Sequence, residues 1–239
     1  MEEARAHFEH LNTTQRWCGA QGSGVLVQEF LDGTEFVVDQ VSRDGVHKTT
    51  MIWMYDVQEV NGSYVCTGQR PVASNTPTAE SLVTYTRNCL DALGIRNGAS
   101  HSEVILTADG PCLVEVRCVK EPWVNCRCQG GDGFWMPLTQ RMAGYSQVDV
   151  CTWAYLDPSA FAEVPDVPPS ACHVAAEVVH LISHQNGRVK AMPGLEVLRN
   201  FSSFMDVVMN VQLDECIKKS TETWTEHSEI NHLVFGLPG

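Results

Sequence analysis

The sequence predicts an α+β fold, and three observations carry that prediction. Strand-like runs come first, joined by connections too short for a crossover, so they pair antiparallel. One helix signal then separates them from a second strand pair. A further helical stretch, a proline-rich segment and a smaller mixed segment follow, so strands and helices do not alternate as in a parallel α/β sheet. The chain has 239 residues, of which 44% are hydrophobic. At roughly 150 residues per domain that is between one and two domains, with enough apolar surface for a sizeable core.

Each element has a local reason. Ala4, Phe8 and Leu11 share one helical face, which predicts a short helix over 3–11. Trp17 to Gly24 is a Gly-rich loop. Val25 to Leu31 reads as an apolar strand. Asp32-Gly33 is a turn signal, and Glu35 to Ser42 is the next strand. Arg43-Asp44-Gly45 turns the chain into Val46 to Tyr55, a third strand rich in Thr, Ile, Trp and Met. Thr76 is a helix N-cap with Pro77 at the first helical position. The apolar face of that helix is Leu82, Cys89, Leu90 and Leu93, and Gly94 stops it.

His101 to Thr107 and Cys112 to Val116 are two strands around Asp109-Gly110. Residues 117–135 read as irregular and Met136 to Tyr155 as helical. Pro158, Pro165, Pro168 and Pro169 make 157–170 the best boundary, between residues 1–156 and a small α+β lobe at 171–239. That lobe is expected to hold a strand over 172–183, an Asn186-Gly187 hairpin turn, a strand over 188–191 and a short helix after Pro193-Gly194. Trp53, Trp135 and Trp153 are expected in the core.

Composition excludes several partners. Lys plus Arg number 16 against 29 Asp plus Glu, a net charge of −13. A nucleic-acid binder needs a clustered positive field, so no nucleic-acid partner is expected. No apolar run approaches the ~20 residues that span a bilayer, and the acidic N-terminus has no signal-like apolar stretch. A cytoplasmic protein without a membrane partner is expected. The ten cysteines are scattered, and Cys112 and Cys172 sit in apolar runs where a thiol behaves as a small hydrophobe. Reduced thiols follow. Cys118, Cys126 and Cys128 do not have zinc-ligand spacing.

Two constellations carry chemistry. Glu103 and Glu115 lie in otherwise apolar strands. A buried carboxylate must be paired or bind a cation. A two-residue loop at Asp109-Gly110 would pair residue 104 with 115 and turn Glu103 to the opposite face. A three-residue loop, Ala108-Asp109-Gly110, would pair 103 with 115 directly. Two carboxylates on one face could hold Mg²⁺, a hard ion that shares oxygen ligands with substrate phosphates. Strand carboxylates facing solvent are the ordinary alternative. The second constellation is the strand–turn–strand from Val27 to Glu35. Its backbone could meet a flat base edge, and Glu35 could accept from ribose hydroxyls. Asp39 shares the face of Glu35. His101 shares the face of Glu103 and reads first as a core histidine. His180 and His184 are expected on a strand, where they make no helical metal pair.

Taken together these segments resemble a known family. Gln28-Glu29-Phe30-Leu31-Asp32-Gly33-Thr34-Glu35-Phe36-Val37-Val38-Asp39 resembles the adenine-hinge strand pair of the ATP-grasp ligases. Leu93 to Val104 resembles the segment carrying their first Mg²⁺-binding Glu, and Asp109 to Glu115 the segment carrying the second. The members most similar to it are amino-acid ligases of the carnosine-synthase and dipeptide-ligase kind. The resemblance implies a partial ATP-grasp domain, an antiparallel sheet with helices. It implies an ATP- and Mg²⁺-dependent ligase that joins a small carboxylate to an amine, such as amino acids, through an acyl phosphate.

By the same resemblance Gln28, Glu29, Phe30 and Leu31 form the hinge and Glu35 holds the ribose. Glu103, Glu115 and Asn125 are metal ligands, and Arg127 stabilises the transferring phosphoryl group. The family's Glu-x-Asn-x-Arg pattern is interrupted here, because Arg117 to Val124 stand between Glu115-Val116 and Asn125-Cys126-Arg127. Pro122 cannot sit in a central strand, so the insert must bulge or loop out. The Gly pair in Gln129-Gly130-Gly131-Asp132-Gly133 stands where the family lines its acyl-phosphate site. No Lys precedes Lys48, so the family's phosphate-binding Lys has no counterpart. The chain therefore resembles the C-terminal part of a longer enzyme. The competing expectation is an inactive remnant that binds or scaffolds, and a bicarbonate-using carboxylase ranks below both.

Overall fold

The computed structural model describes residues 2–13, 27–118, 135–170, 174–209, 211–221 and 232–238. The chain forms two compact units, residues 1–31 and 32–239. The first holds helix α1 (Glu2–Thr13) and, at its end, residues 27–31. Those residues were expected to form an apolar strand and do not. A strand exists only through its ladder, and 27–31 take part in none.

The second unit is built on an eight-stranded sheet. Strand β1 (Thr34–Arg43) is rich in Val and Phe, which suit a pleated surface. It turns at Asp44-Gly45, where φ is +51° and +86°, into β2 (Val46–Val60). Two positive φ values match the right-handed twist of the flanking strands. Asn61-Gly62 repeats the device, at +54° and +83°, and opens β3 (Ser63–Pro71). The sequence reading overlooked this strand, although Asn-Gly between apolar runs is a strong hairpin signal. The expected three-strand meander therefore exists, shifted one strand along.

Helix α2 (Pro77–Ala92) starts as the sequence predicts. The Thr76 side chain accepts from the Ala79 amide at 3.2 Å, Pro77 follows the cap, and Gly94 ends the run with φ +68°. Its Leu82 and Leu90 are fully buried, worth about 1.5–3 kcal/mol each. Leu93, counted on that face, is half exposed because it caps the helix. Strands β4 (Gly98–Thr107) and β5 (Gly110–Cys118) follow.

The single helix expected over 136–155 is two. Helix α3 (Trp135–Ala143) ends before Gly144, whose φ is +86°. Helix α4 (Gln147–Leu156) starts afresh at Ser146, which accepts from the Asp149 amide while the Asp149 carboxylate accepts from the Ser146 amide. Within the Pro-rich stretch, Asp157 caps α5 (Pro158–Glu163). Asp166 then fastens the stretch to β2 through the Thr49 amide and Lys48 Nζ.

Strand β6 (Val174–His180) comes next, then β7 (Gly187–Arg188), α6 (Gly194–Arg199), β8 (Phe204–Val208), β9 (Cys216–Ile217) and β10 (His232–Pro238). The expected Asn186-Gly187 hairpin does not form. β7 pairs with β9, while β6 pairs with β3 and β10. The main sheet has the order β5-β4-β1-β2-β3-β6-β10-β8, and every pairing is antiparallel. Strands from both sides of residues 157–170 thus share one sheet. The two sheet faces have separate cores. One holds Phe36, Val38, Ile52 and Val104 with Leu82 and Val83 of α2. The other holds Val37, Met51 and Trp53 with Trp135, Leu138 and Met142 of α3 and Val150 of α4. Trp53 and Trp135 meet edge-to-face with centroids 4.7 Å apart. Trp153 packs on the same core, partly buried.

Candidate functional site

The site grows out of strand register. In β1 and β4, Asp39 lies opposite His101, and Val37 lies opposite Glu103. With a side-chain period of two, Glu35, Asp39, His101 and Glu103 occupy the face that also carries Trp53. Gly33 brings the chain into β1 across the end of β4. A Cβ there would lie 2.3 Å from the Leu106 carbonyl oxygen, so only glycine fits.

Glu115 joins them by a route the loop arithmetic did not contain. The turn is Ala108-Asp109, with Thr107 opposite Gly110. Continued regularly, that register would set Val114 opposite Glu103 and turn Glu115 to the other face. A bulge intervenes: Leu113 pairs with Val104, but Glu115 pairs with Glu103, leaving Val114 as the extra residue. The two glutamates therefore stand side by side, as expected, through a bulge and not through either expected loop. Across the sheet, the Tyr85 hydroxyl of α2 accepts from the Leu113 amide at 3.0 Å and holds the strand next to the bulge.

These carboxylates feel one another. Burial, and then the charges of Glu103 and Glu115, raise the Glu35 carboxyl to about 7. Tyr55, on β2, is held well above its ordinary value by burial and by the charges of Glu103 and Asp39. Burial pushes the Cys66 thiol up to about 12, with Glu35 again contributing. The region is net negative. His101 balances part of this charge. Burial alone would lower its basicity, but the Asp39 and Glu103 carboxylates outweigh burial and raise it to about 9. Its Nδ1 lies 2.7 Å from Asp39 Oδ1, and its Nε2 lies 3.6 Å from Glu103 Oε1. The other Asp39 oxygen, Oδ2, accepts from the Trp53 indole N–H at 3.1 Å.

The structure thus brings together Glu35, Glu103 and Glu115 of the predicted residues. Glu35 was expected at the ribose, and its charge is coupled to the glutamate pair. Gln28, Glu29, Phe30 and Leu31 lie in the other compact unit, in irregular backbone. Asn125, Arg127 and the Gly130-Gly131 pair lie outside the described residues, as does the insert beyond Cys118. Among the described residues no cluster of three or more His, Cys, Asp or Glu side chains has a metal-binding arrangement. What fits a divalent cation is the paired Glu103 and Glu115, whose charges add to the burial that raises the Glu35 carboxyl. A hard ion that keeps waters and takes further oxygens from phosphates needs only one or two such carboxylates. Among the described residues five cysteines, Cys66, Cys89, Cys112, Cys151 and Cys216, are free thiols. His180 is buried on β6, while His184 lies beyond that strand, exposed. No helix among the described residues is long and apolar enough to cross a membrane.

Sequence reasoning missed Tyr55 and Tyr85. Tyr55 could have been found by parity with Trp53, two residues earlier on the same strand. Tyr85 had no such signal, because its role depends on where a bulge falls.

Comparison with known proteins follows the same lines. No family profile matches the chain. Dapdiamide A synthase of Enterobacter agglomerans is 31% identical over 194 residues, which are 81% of this chain and 43% of that protein. The L-amino acid ligase of Bacillus licheniformis superposes with a TM-score of 0.68 at 19% identity, over 88% of this chain and 48% of its own. Phosphoribosylglycinamide synthetase of Anaerococcus prevotii superposes with a TM-score of 0.59 at 15% identity, over 88% and 50%. The chain spans about half the length of these relatives. At such identities the two structures speak for the fold, and the synthase supplies the likeness in sequence. The chain carries part of the ATP-grasp ligase fold and resembles the amino-acid ligases among its members.

Proposed function

We propose that this chain is the nucleotide- and metal-binding part, the C-terminal part, of an ATP-dependent carboxylate–amine ligase acting on amino acids. The observation that carries the reading is the bulge that sets Glu115 beside Glu103 on the face of Glu35. An ordinary hairpin has no need of it, and its product is a pair of like charges that costs stability unless a cation is held.

In the reaction a substrate carboxylate attacks the γ-phosphorus of ATP. ADP leaves, and an acyl phosphate forms. The amine then attacks the acyl carbon, phosphate departs with the C–O bond's electrons, and the amine's proton is lost to give the amide. Such chemistry rests on positioning and on neutralising charge. Gln28 to Leu31 would meet the adenine, mostly through backbone groups. Glu103 and Glu115, with Asn125, would hold Mg²⁺, which when bound neutralises phosphate charge. Arg127 would brace the transferring phosphoryl group with its planar fork of donors. Glu35 would accept from the ribose hydroxyls.

Isothermal titration with ADP, with and without Mg²⁺, tests the reading. Magnesium is expected to tighten ADP binding in the native chain, and Glu115→Ala is expected to abolish the gain. A folded chain that binds ADP equally with and without Mg²⁺ would overturn it.

A further inference from the structure

Asp39 and His101 form a buried polar pair that the proposed reaction does not use. Both side chains are almost fully shielded, at 2% and 7% exposure, yet Glu103 beside them is 19% exposed. The file runs in one direction. It starts at Trp53, wedged edge-on against Trp135 in the core. The Trp53 indole N–H takes Asp39 Oδ2, and Asp39 Oδ1 takes His101 Nδ1 at 2.7 Å. His101 Nε2 then faces Glu103 Oε1 at 3.6 Å. Each step is set by the sheet: Asp39 and His101 are direct cross-strand partners, and His101 and Glu103 are two residues apart on one face of β4. From α4, the Gln147 side-chain amide donates to the Gln40 and Ser100 carbonyls, next to Asp39 and His101 in the chain, and clamps the helix over both strands.

A buried ion pair is a poor device for stability alone, since apolar residues of the same volume serve at least as well. Its use lies in fixing orientation. An acceptor-only carboxylate on Nδ1 permits one ring orientation, which aims Nε2 at Glu103. We propose that Asp39 and His101 are positioning residues that hold the Glu103 carboxylate beside Glu115 in the pose that binds the divalent cation. The proposal rests on the metal-dependent reading of this face given above. Outer partners of this kind govern metal affinity by roughly 10–100-fold in other sites.

The test uses the full chain, with Mg²⁺ and ADP as probes, and reads the factor by which Mg²⁺ tightens ADP binding. Glu103→Gln is expected to remove that factor. Asp39→Asn and His101→Leu are expected to cut it about tenfold while leaving the affinity for ADP alone unchanged, and His101→Gln, which keeps a donor near the Nε2 position, is expected to restore most of it. Manganese binding followed by electron paramagnetic resonance gives a second reading free of nucleotide. If Asp39→Asn does not fold, the two His101 variants decide. Folded variants that keep the full magnesium factor while Glu103→Gln loses it would overturn this proposal alone. A native chain with no magnesium factor would overturn the ligase reading and this proposal with it.

Discussion

The two faces of strand β1 make an instructive contrast. Its even-numbered residues Phe36 and Val38 pack under α2 with Ile52 and Val104, an apolar interior. Where that side becomes polar, the groups find hydrogen-bond partners close by. Gln40 Nε2 donates to Thr49 Oγ1 at 3.2 Å, and Ser42 Oγ bonds His47 Nδ1 at 2.6 Å. The odd-numbered residues alternate apolar with charged: Glu35, Val37, Asp39, Val41. There Asp39 pairs with His101, and the charges left over gather at Glu35, Glu103 and Glu115. One strand thus serves an apolar interior on one side and, on the other, a core into which a charged site is set. The site face accepts unfavourable electrostatics that the core face avoids.

Breaking each face should have a different signature. On the core face, Leu82→Ala leaves a cavity under the sheet and is expected to cost about 3 kcal/mol. Denaturant unfolding would show it, with the magnesium dependence of ADP binding intact. On the site face, Glu115→Ala removes one of the paired carboxylates and should abolish the magnesium factor. Deleting Val114 takes out the extra residue and puts Glu115 at the regular place opposite Glu103, on the same face, so most of the factor should survive. A deletion variant as weak as Glu115→Ala in the titration would mean that the bulge does more than set the face of Glu115.

Glu35 sharpens the comparison through pH. Its carboxyl keeps a proton up to about 7 in the fold, against an ordinary value of 4.5. The folded state therefore binds more protons than the unfolded state between those values, so stability falls as pH rises through that window. Glu35→Gln removes the penalty. It should be more stable than the native chain by roughly 2 kcal/mol at pH 8, with no difference below pH 4.5. Thermal melts across the range would reveal it, and a pH-independent gain would exclude ionisation of this buried carboxyl as its cause. The smallest effect links the two faces. Tyr85→Phe takes the hydroxyl from the Leu113 amide and should cost about 1 kcal/mol. It should also weaken the magnesium factor by a few-fold, whereas a loss of stability alone would separate the helix from the site.

Much of this was legible in the sequence because its causes are local. Thr76-Pro77 starts a helix and Gly94 ends it through backbone geometry contained in a few residues. The Asp44-Gly45 turn and the alternation in β1 are of the same kind. Val25–Leu31 misled the reading, since apolar content cannot supply a strand with a partner. Asn186-Gly187 misled it too, because a turn signal does not say which strands flank it.

What the sequence by itself determined is the elements with local start and stop signals, such as α2 and the strands β1, β4 and β5, the acidic character of the chain and the identity of the residues that carry chemistry. Glu35, Asp39, His101, Glu103 and Glu115 were all distinguishable as polar groups within apolar strands. Tertiary structure decided which of them meet. One extra residue at Val114 chooses the face of Glu115, and that bulge is fixed by pairing with β4 and by a hydroxyl from α2 on the far side of the sheet. Register is a cooperative property of several strands and a helix at once, whereas side-chain periodicity belongs to one strand.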